Sequence, residues 1–269
     1  MIIFISITAI IFYLLAAIRL GSGLFHPGDE RKRFFKSQFF IFGLIALLLH
    51  SIVLYQNINI IGGLNLGFYN ALSLMSWGVS FIVLITTLSK PLENLAIIFF
   101  PLTAVALLLE IIFQSSRILP DTAPMGLHLH VLLSICAYSL LTIAALQAAL
   151  LALQDRQISI KHPANIMQFP PMQIMEELLI QIIAIGFFML SLSLATGLLF
   201  LHDIFSQHLA HKAVFSILAW IIFGILLWGR WTRGWRGKKA IRWTIGGFIS
   251  LMLAYFGSKL VLELILKRV

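Results

Sequence analysis

Thiols and acidic groups are scarce in this chain. It has one cysteine in 269 residues and only 10 aspartates and glutamates, against 19 lysines and arginines. Cys136 lies alone inside an apolar run, which excludes a disulfide framework, a thiolate zinc cluster and a CxxC redox pair. Charged residues make up only 11% of the chain, too few to clothe a soluble protein. The Walker phosphate loop, the G-x-S-x-G nucleophile elbow and the H-E-x-x-H zinc motif are also missing. No two histidines of one apolar stretch stand 13 or 14 residues apart, so one helix does not carry ligands for two stacked haems.

What the chain has in abundance is apolar residues. Hydrophobic residues make up 60% of it, and the mean hydropathy is +1.00. A bilayer core needs about 20 apolar residues per helix. Such stretches run roughly over 2–20, 35–56, 66–88, 93–114, 128–153, 178–201, 213–231 and 241–265. The expectation is an all-α polytopic membrane bundle of eight transmembrane helices, forming a single transmembrane domain over 1–269. The first stretch has no basic residue ahead of its apolar core and no small-residue cleavage site behind it, so it reads as a retained helix and not a signal peptide.

The net charge of +9 reads as topology rather than as affinity for nucleic acid. Fourteen of the 19 basic residues fall in the loop after the first span and in every second loop after it, including Arg31, Lys32, Arg33, Arg233, Arg236, Lys238 and Lys239. Arg117, Lys212, Lys259, Lys267 and Arg268 fall on the other face. Basic loops stay cytoplasmic, so both termini are expected on the non-cytoplasmic side. Trp228, Trp231, Trp235 and Trp243 flank the most basic loop, Gly229 to Arg242, where indoles sit at headgroup level among membrane lipids. The longest break, Gln154 to Glu177, holds Pro163, Pro170 and Pro171 and reads as an interfacial stretch.

This topology distributes the histidines unevenly. His26 and His162 fall on the basic face, while His50, His128, His130, His202, His208 and His211 fall on the other. His128 and His130 are about 200° apart on a helix, so only one of them can face the bundle. His130 shares its stripe with Ser134, Ala137, Tyr138, Leu141, Ala144, Ala145 and Ala148, a small and polar face that lets helices approach closely. A neutral imidazole there offers a lone pair to iron; the plainer reading is a hydrogen bond from His130 to a neighbouring helix. His50, followed by Ser51, is open to the same two readings, and His208 with His211 has a metal-ligand spacing in a loop where solvated histidines are common. The acidic residues lie mostly at span ends; Glu110, near the outer end of the fourth span, is the exception.

Several motifs together resemble the cytochrome c assembly superfamily of haem-handling membrane proteins, the CcsA and CcmC type, and within it the HemX-like branch. They are Phe169-Pro170-Pro171-Met172, Thr196 to His202, Gly234-Trp235-Arg236-Gly237, Leu253 to Ser258, the segment from Tyr69 to Trp77, and His130 followed eight residues later by Tyr138. The resemblance implies haem contact on the non-cytoplasmic side of a bacterial inner membrane, with haem b as cofactor and His130 as an axial ligand. His202 or His50 would be the second ligand, Tyr138 would belong to the same site, and Arg117 and Lys212 would pair with the propionates. It also implies cytochrome assembly proteins as partners. The sequence departs from the haem-ligating members in its outer loop His202 to His208, which has no tryptophan, and in having no histidine beyond the last span. The expectation is therefore a non-enzymatic protein that binds or hands over haem in support of cytochrome c assembly. The alternative is a HemX-like regulator of a tetrapyrrole-synthesis enzyme acting through the cytoplasmic loops without haem; a small-molecule transporter is a third class.

Overall fold

A computed structural model of the chain describes residues 1–25, 29–88, 93–113, 118–159, 171–200 and 210–254. Among the described residues there are eight helices: α1 (Ile2–Phe25), α2 (Asp29–Ile58), α3 (Phe68–Thr86), α4 (Glu93–Ile112), α5 (Met125–Ser159), α6 (Met172–Phe200), α7 (Ala210–Arg233) and α8 (Lys238–Met252). Seven of them, α1 to α7, are long and apolar enough to cross a membrane. The described part of α8 has 15 residues, and the rest of the expected eighth span lies outside the described residues. The chain divides into two compact units, 1–121 and 122–269.

In the first unit α1 packs on α2 and α4, and α3 packs on α2 and α4, so the four helices close a ring. Spacing makes α1 two-faced. Ser6, Ala9, Tyr13, Ala16 and Leu20 are buried at intervals of three and four, whereas Ile7, Ile11, Leu14 and Ile18 are exposed. An apolar face left outside is what a lipid solvent selects, since packing and interhelical hydrogen bonds, not hydrophobicity, then choose the inner face. The inner face is accordingly small and polar in places. Ser80 and Thr103 share a hydrogen bond of 2.6 Å between α3 and α4, and the Trp77 indole donates to the Leu47 carbonyl across α3 and α2 at 3.2 Å.

A three-stranded antiparallel sheet, which the apolar periodicity does not announce, ties one end of this unit. It consists of β1 (Asn59–Ile60), β2 (Gly63–Asn65) and β3 (Ile118–Pro120), in the order β1-β2-β3. Asn59 pairs with Leu64, Ile60 with Gly63, and Leu64 with Leu119. The β1–β2 connection is only Ile61-Gly62, with Gly62 at φ 95°, a conformation that favours glycine. Because β1 follows α2 and β3 follows α4, the sheet joins the C-terminal ends of both helices beside the start of α3.

In the second unit α5 packs most extensively on α6, α6 on α7, α7 on α8, and α8 back on α5. The expected break over Gln154 to Glu177 is shorter than the sequence suggests. Helix α5 runs on through Gln154, Asp155 and Arg156 to Ser159, because nothing there breaks a helix. Helix α6 begins at Met172, directly after Pro170 and Pro171. At about 1.5 Å per residue, the 35 residues of α5 extend about 50 Å, well past a 30 Å core.

The basic Gly229 to Arg242 segment is mostly helix, with a turn over 234–237 between α7 and α8. Gly234 and Gly237 take φ of 62° and 55°. The Glu176 carboxylate of α6 accepts the Gly237 N–H at 2.6 Å, and the Arg230 guanidinium donates to the Trp235 carbonyl at 3.2 Å. Trp235 lies against Trp243, ring centres 5.6 Å apart. Lys238 stands 3.7 Å from Asp155 of α5, an exposed pair that contributes little.

Candidate functional site

The site is built on α5 and α6. The stripe carrying His130 is the buried face of α5: Ala137, Leu141, Ala144 and Ala148 have no exposed surface, and Tyr138 and Ala145 have little. Small side chains let α6 come close. A Cβ on Gly186 would meet Leu141 at 2.8 Å, and one on Gly197 would meet the His130 ring at 3.0 Å from Cε1 and 3.1 Å from Nδ1. The imidazole therefore occupies the space that a side chain at position 197 would need.

Its hydrogen bonding fixes the tautomer. His130 Nδ1 lies 2.8 Å from the Ser193 carbonyl oxygen. A carbonyl can only accept, so Nδ1 carries the proton and Nε2 of the neutral ring keeps its lone pair. Ser134, one turn on, donates to the His130 carbonyl at 2.7 Å and shares a bond of 2.8 Å with the Ser193 hydroxyl. Thr196 also donates to the Ser193 carbonyl, at 2.9 Å. The two readings of His130 thus fall on its two nitrogens: Nδ1 bridges helices, and Nε2 has no hydrogen-bond partner among the described residues. This is the arrangement found in metal-ligating histidines, whose second nitrogen donates to a carbonyl and orients the ring. The residues present fit an axial haem ligand on one side.

His128 turns away from this contact; its Nδ1 donates back to the Pro124 carbonyl at 3.3 Å. Tyr138, 5% exposed, donates to the Leu251 carbonyl of α8 at 2.9 Å, so its hydroxyl is a strut between α5 and α8. Lys212 lies half-buried in the first turn of α7. His202 and Arg117 lie outside the described residues, as do His26, His162 and His208, and nothing is described of the His211 side chain.

His50, in the first unit, is fully buried with both nitrogens engaged. Nδ1 lies 3.2 Å from the Tyr13 hydroxyl of α1, and Nε2 lies 2.9 Å from the Ser73 hydroxyl of α3. A bond from His50 to iron would cost one of these contacts and open a sealed position. Sequence reasoning also passed over His130's partners as partners. Ser193, Thr196 and Gly197 sit 63 to 67 residues away on α6, and the small Thr196-Gly197 pair was the only local signal for them.

Comparison with known proteins places these residues in a family. The Cytochrome C assembly protein family model matches residues 39–266. The chain is 35% identical over 254 residues to the inner membrane protein YpjD of Escherichia coli K12, covering 93% of this chain and 97% of YpjD. It is 23% identical over 221 residues to the cytochrome c biogenesis protein CcsA of a Prochlorococcus marinus strain, covering 70% of each. It is 27% identical over 156 residues to CcsA of Chlamydomonas reinhardtii, covering 56% of this chain and 42% of that one. No solved structure matches. With seven described spans and matches of this extent, the chain is a multi-pass membrane protein that belongs to the cytochrome c assembly protein family.

Proposed function

We propose that this protein binds haem, with His130 Nε2 as an axial ligand, and supports cytochrome c assembly by holding or handing over the group at the non-cytoplasmic face. The observation that carries the reading is the Nδ1–H bond of 2.8 Å to the Ser193 carbonyl. That bond leaves Nε2 as a lone-pair donor and holds the ring against Gly197. The names of the CcsA relatives, which concern cytochrome c biogenesis, support the same class of task. Haem, when bound, supplies the iron. The chain supplies a neutral, oriented imidazole and a close-packed α5–α6 contact that keeps water from the Nδ1 side.

Haem b is the form a single non-covalent imidazole site suits, and His202 remains the second ligand we propose. Arg117 and Lys212 are the proposed partners for propionates, and apocytochrome or other assembly proteins the proposed recipients. Binding and delivery, rather than catalysis, is the task we propose for this site. The charge distribution supports placing both termini and the His130 end of α5 outside the cytoplasm.

The test is the absorption spectrum of protein purified in detergent from haem-replete cells, repeated with His130→Ala. A Soret band in the wild type that is lost or shifted in the variant is expected. A wild type with no Soret band even after haem is added would overturn the reading.

One observation favours a second reading, a regulator acting through the basic loop. The α7–α8 turn is a built surface, locked by Glu176 and Arg230 with Arg233, Arg236, Lys238 and Lys239 exposed. In that case neutralising these four cations abolishes control of a tetrapyrrole-synthesis enzyme and leaves any haem band intact.

A further inference from the structure

The first unit contains a polar connection that the haem reading does not use. It takes one residue from each of four helices: Tyr13 from α1, His50 from α2, Ser73 from α3 and Glu110 from α4. Tyr13, His50 and Ser73 have no exposed surface, and Glu110 is 6% exposed. Tyr13 meets His50 Nδ1 at 3.2 Å, and His50 Nε2 meets Ser73 at 2.9 Å. The Ser73 hydroxyl also neighbours the Glu110 carboxyl group, although no hydrogen bond of good geometry joins the two in this structure. Asn57 donates to Glu110 Oε1 at 2.9 Å, whereas Oε2 is sealed from solvent and accepts no hydrogen bond of good geometry. Asn57 is itself positioned by Asn70, which donates to its carbonyl at 3.4 Å.

Buried ionisable groups inside a membrane are costly and are retained for a use. A buried carboxylate needs a counter-charge or a proton, and no described lysine or arginine pairs with Glu110. The titratable groups on the elements packed around it are Tyr13 of α1, His50 of α2 and Tyr69 of α3, which stacks on Phe113 with ring centres 5.2 Å apart; α3 also contributes Ser73 and Asn70.

We propose that Glu110 is a proton-binding site inside the first unit, wired through Ser73 to the tautomer of His50. The hydrogen-bond inventory allows two consistent arrangements. With Glu110 as carboxylate, Ser73 turns its proton toward Glu110, His50 carries its proton on Nε2 and donates to Ser73, and Tyr13 donates to Nδ1. With one added proton held on Glu110, the carboxyl group donates to Ser73, Ser73 donates to His50 Nε2, and His50 carries its proton on Nδ1, toward Tyr13. The two states differ by that single proton, and His50 is neutral in both. Oε2, which has no hydrogen-bond partner in this structure, is the oxygen that takes the proton and then donates it to Ser73.

The test is nitrogen NMR of the full chain, labelled with 15N-histidine, in lipid nanodiscs, with the His50 signals assigned by their loss in His50→Gln. Lowering the pH should move the His50 proton from Nε2 to Nδ1. Glu110→Gln, whose amide donates permanently, should hold it on Nδ1 throughout. Ser73→Ala should leave the Glu110 carboxyl band titrating in infrared difference spectra while His50 no longer follows. A His50 tautomer that ignores pH in the wild type, or that titrates unchanged in Glu110→Gln, would overturn the proposal. So would a change driven by sodium concentration at fixed pH, which would mark a metal-cation site instead. The wild-type titration decides the matter even where a variant fails to fold, and neither result depends on haem.

Discussion

Placing a methyl group at position 197 separates the geometry of His130 from the stability of the fold. The added Cβ of Gly197→Ala would lie 3.0 Å from Cε1 and 3.1 Å from Nδ1 of the ring, where ordinary carbon contacts are about 3.5–4.0 Å. The ring must give way by a few tenths of an ångström, which strains the 2.8 Å bond to the Ser193 carbonyl. A neutral hydrogen bond contributes about 1 kcal/mol net, so losing most of it should weaken haem binding about fivefold. Replacing glycine by alanine within a helix returns roughly 0.5–1 kcal/mol, so the melting temperature should barely change. Gly197→Val brings two further methyl groups into the same space and should abolish binding. The assay is haem titration of the full-length protein in detergent, followed at the Soret band, beside a thermal melt of the same sample. Undiminished affinity in Gly197→Val, with the fold intact, would refute the claim that the His130 ring as placed here is the ligand.

Other consequences can be measured directly. Tyr138→Phe removes the only hydroxyl strut described between α5 and the Leu251 carbonyl; at about 0.6–1.7 kcal/mol for an interhelical bond in a membrane, it should lower the melting temperature by a few degrees and leave the Soret position alone. Gly237→Ala forces a Cβ onto φ of 55° with ψ of −130°, outside the left-handed helical region, and should cost about 1–3 kcal/mol in thermal unfolding, with Glu176→Gln costing less because the amide oxygen can still accept the Gly237 N–H. In a Cys136→Ser background, a cysteine introduced by Arg236→Cys should react with impermeant maleimide only from the cytoplasmic side. Labelling from outside would reverse the proposed topology.

Long-period features were legible in the sequence, and contacts between distant residues were not. Seven described spans follow directly from apolar runs that have no other use in water. The preference for His130 over His128 follows from about 200° of helical rotation, and in the structure His130 bonds to Ser193 of α6 whereas His128 bonds back to Pro124. Helix ends were misjudged where polar residues continue a helix: Gln154 to Ser159 reads as loop by hydropathy but contains no breaker, so α5 runs on to Ser159. The sheet was invisible because strands of two and three residues are too short to show alternation, and β3 joins β2 from more than 50 positions away. Glu110 stood out among the carboxylates, but its bond from Asn57 and the His50–Ser73 contact beside it involve ordinary polar residues that mean nothing until three helices meet. The partners of His130 on α6 were hidden for the same reason, since Ser193 contributes a backbone carbonyl, which no side-chain motif encodes.

The central claim is that His130 offers Nε2 to haem iron, and one spectrum tests it. Protein purified from haem-replete cells should show a Soret band whose position or intensity changes in His130→Ala, and added imidazole should restore the band in that variant by filling the vacated ligand position. A wild-type protein that shows no Soret band, before or after haem is added, would contradict the account.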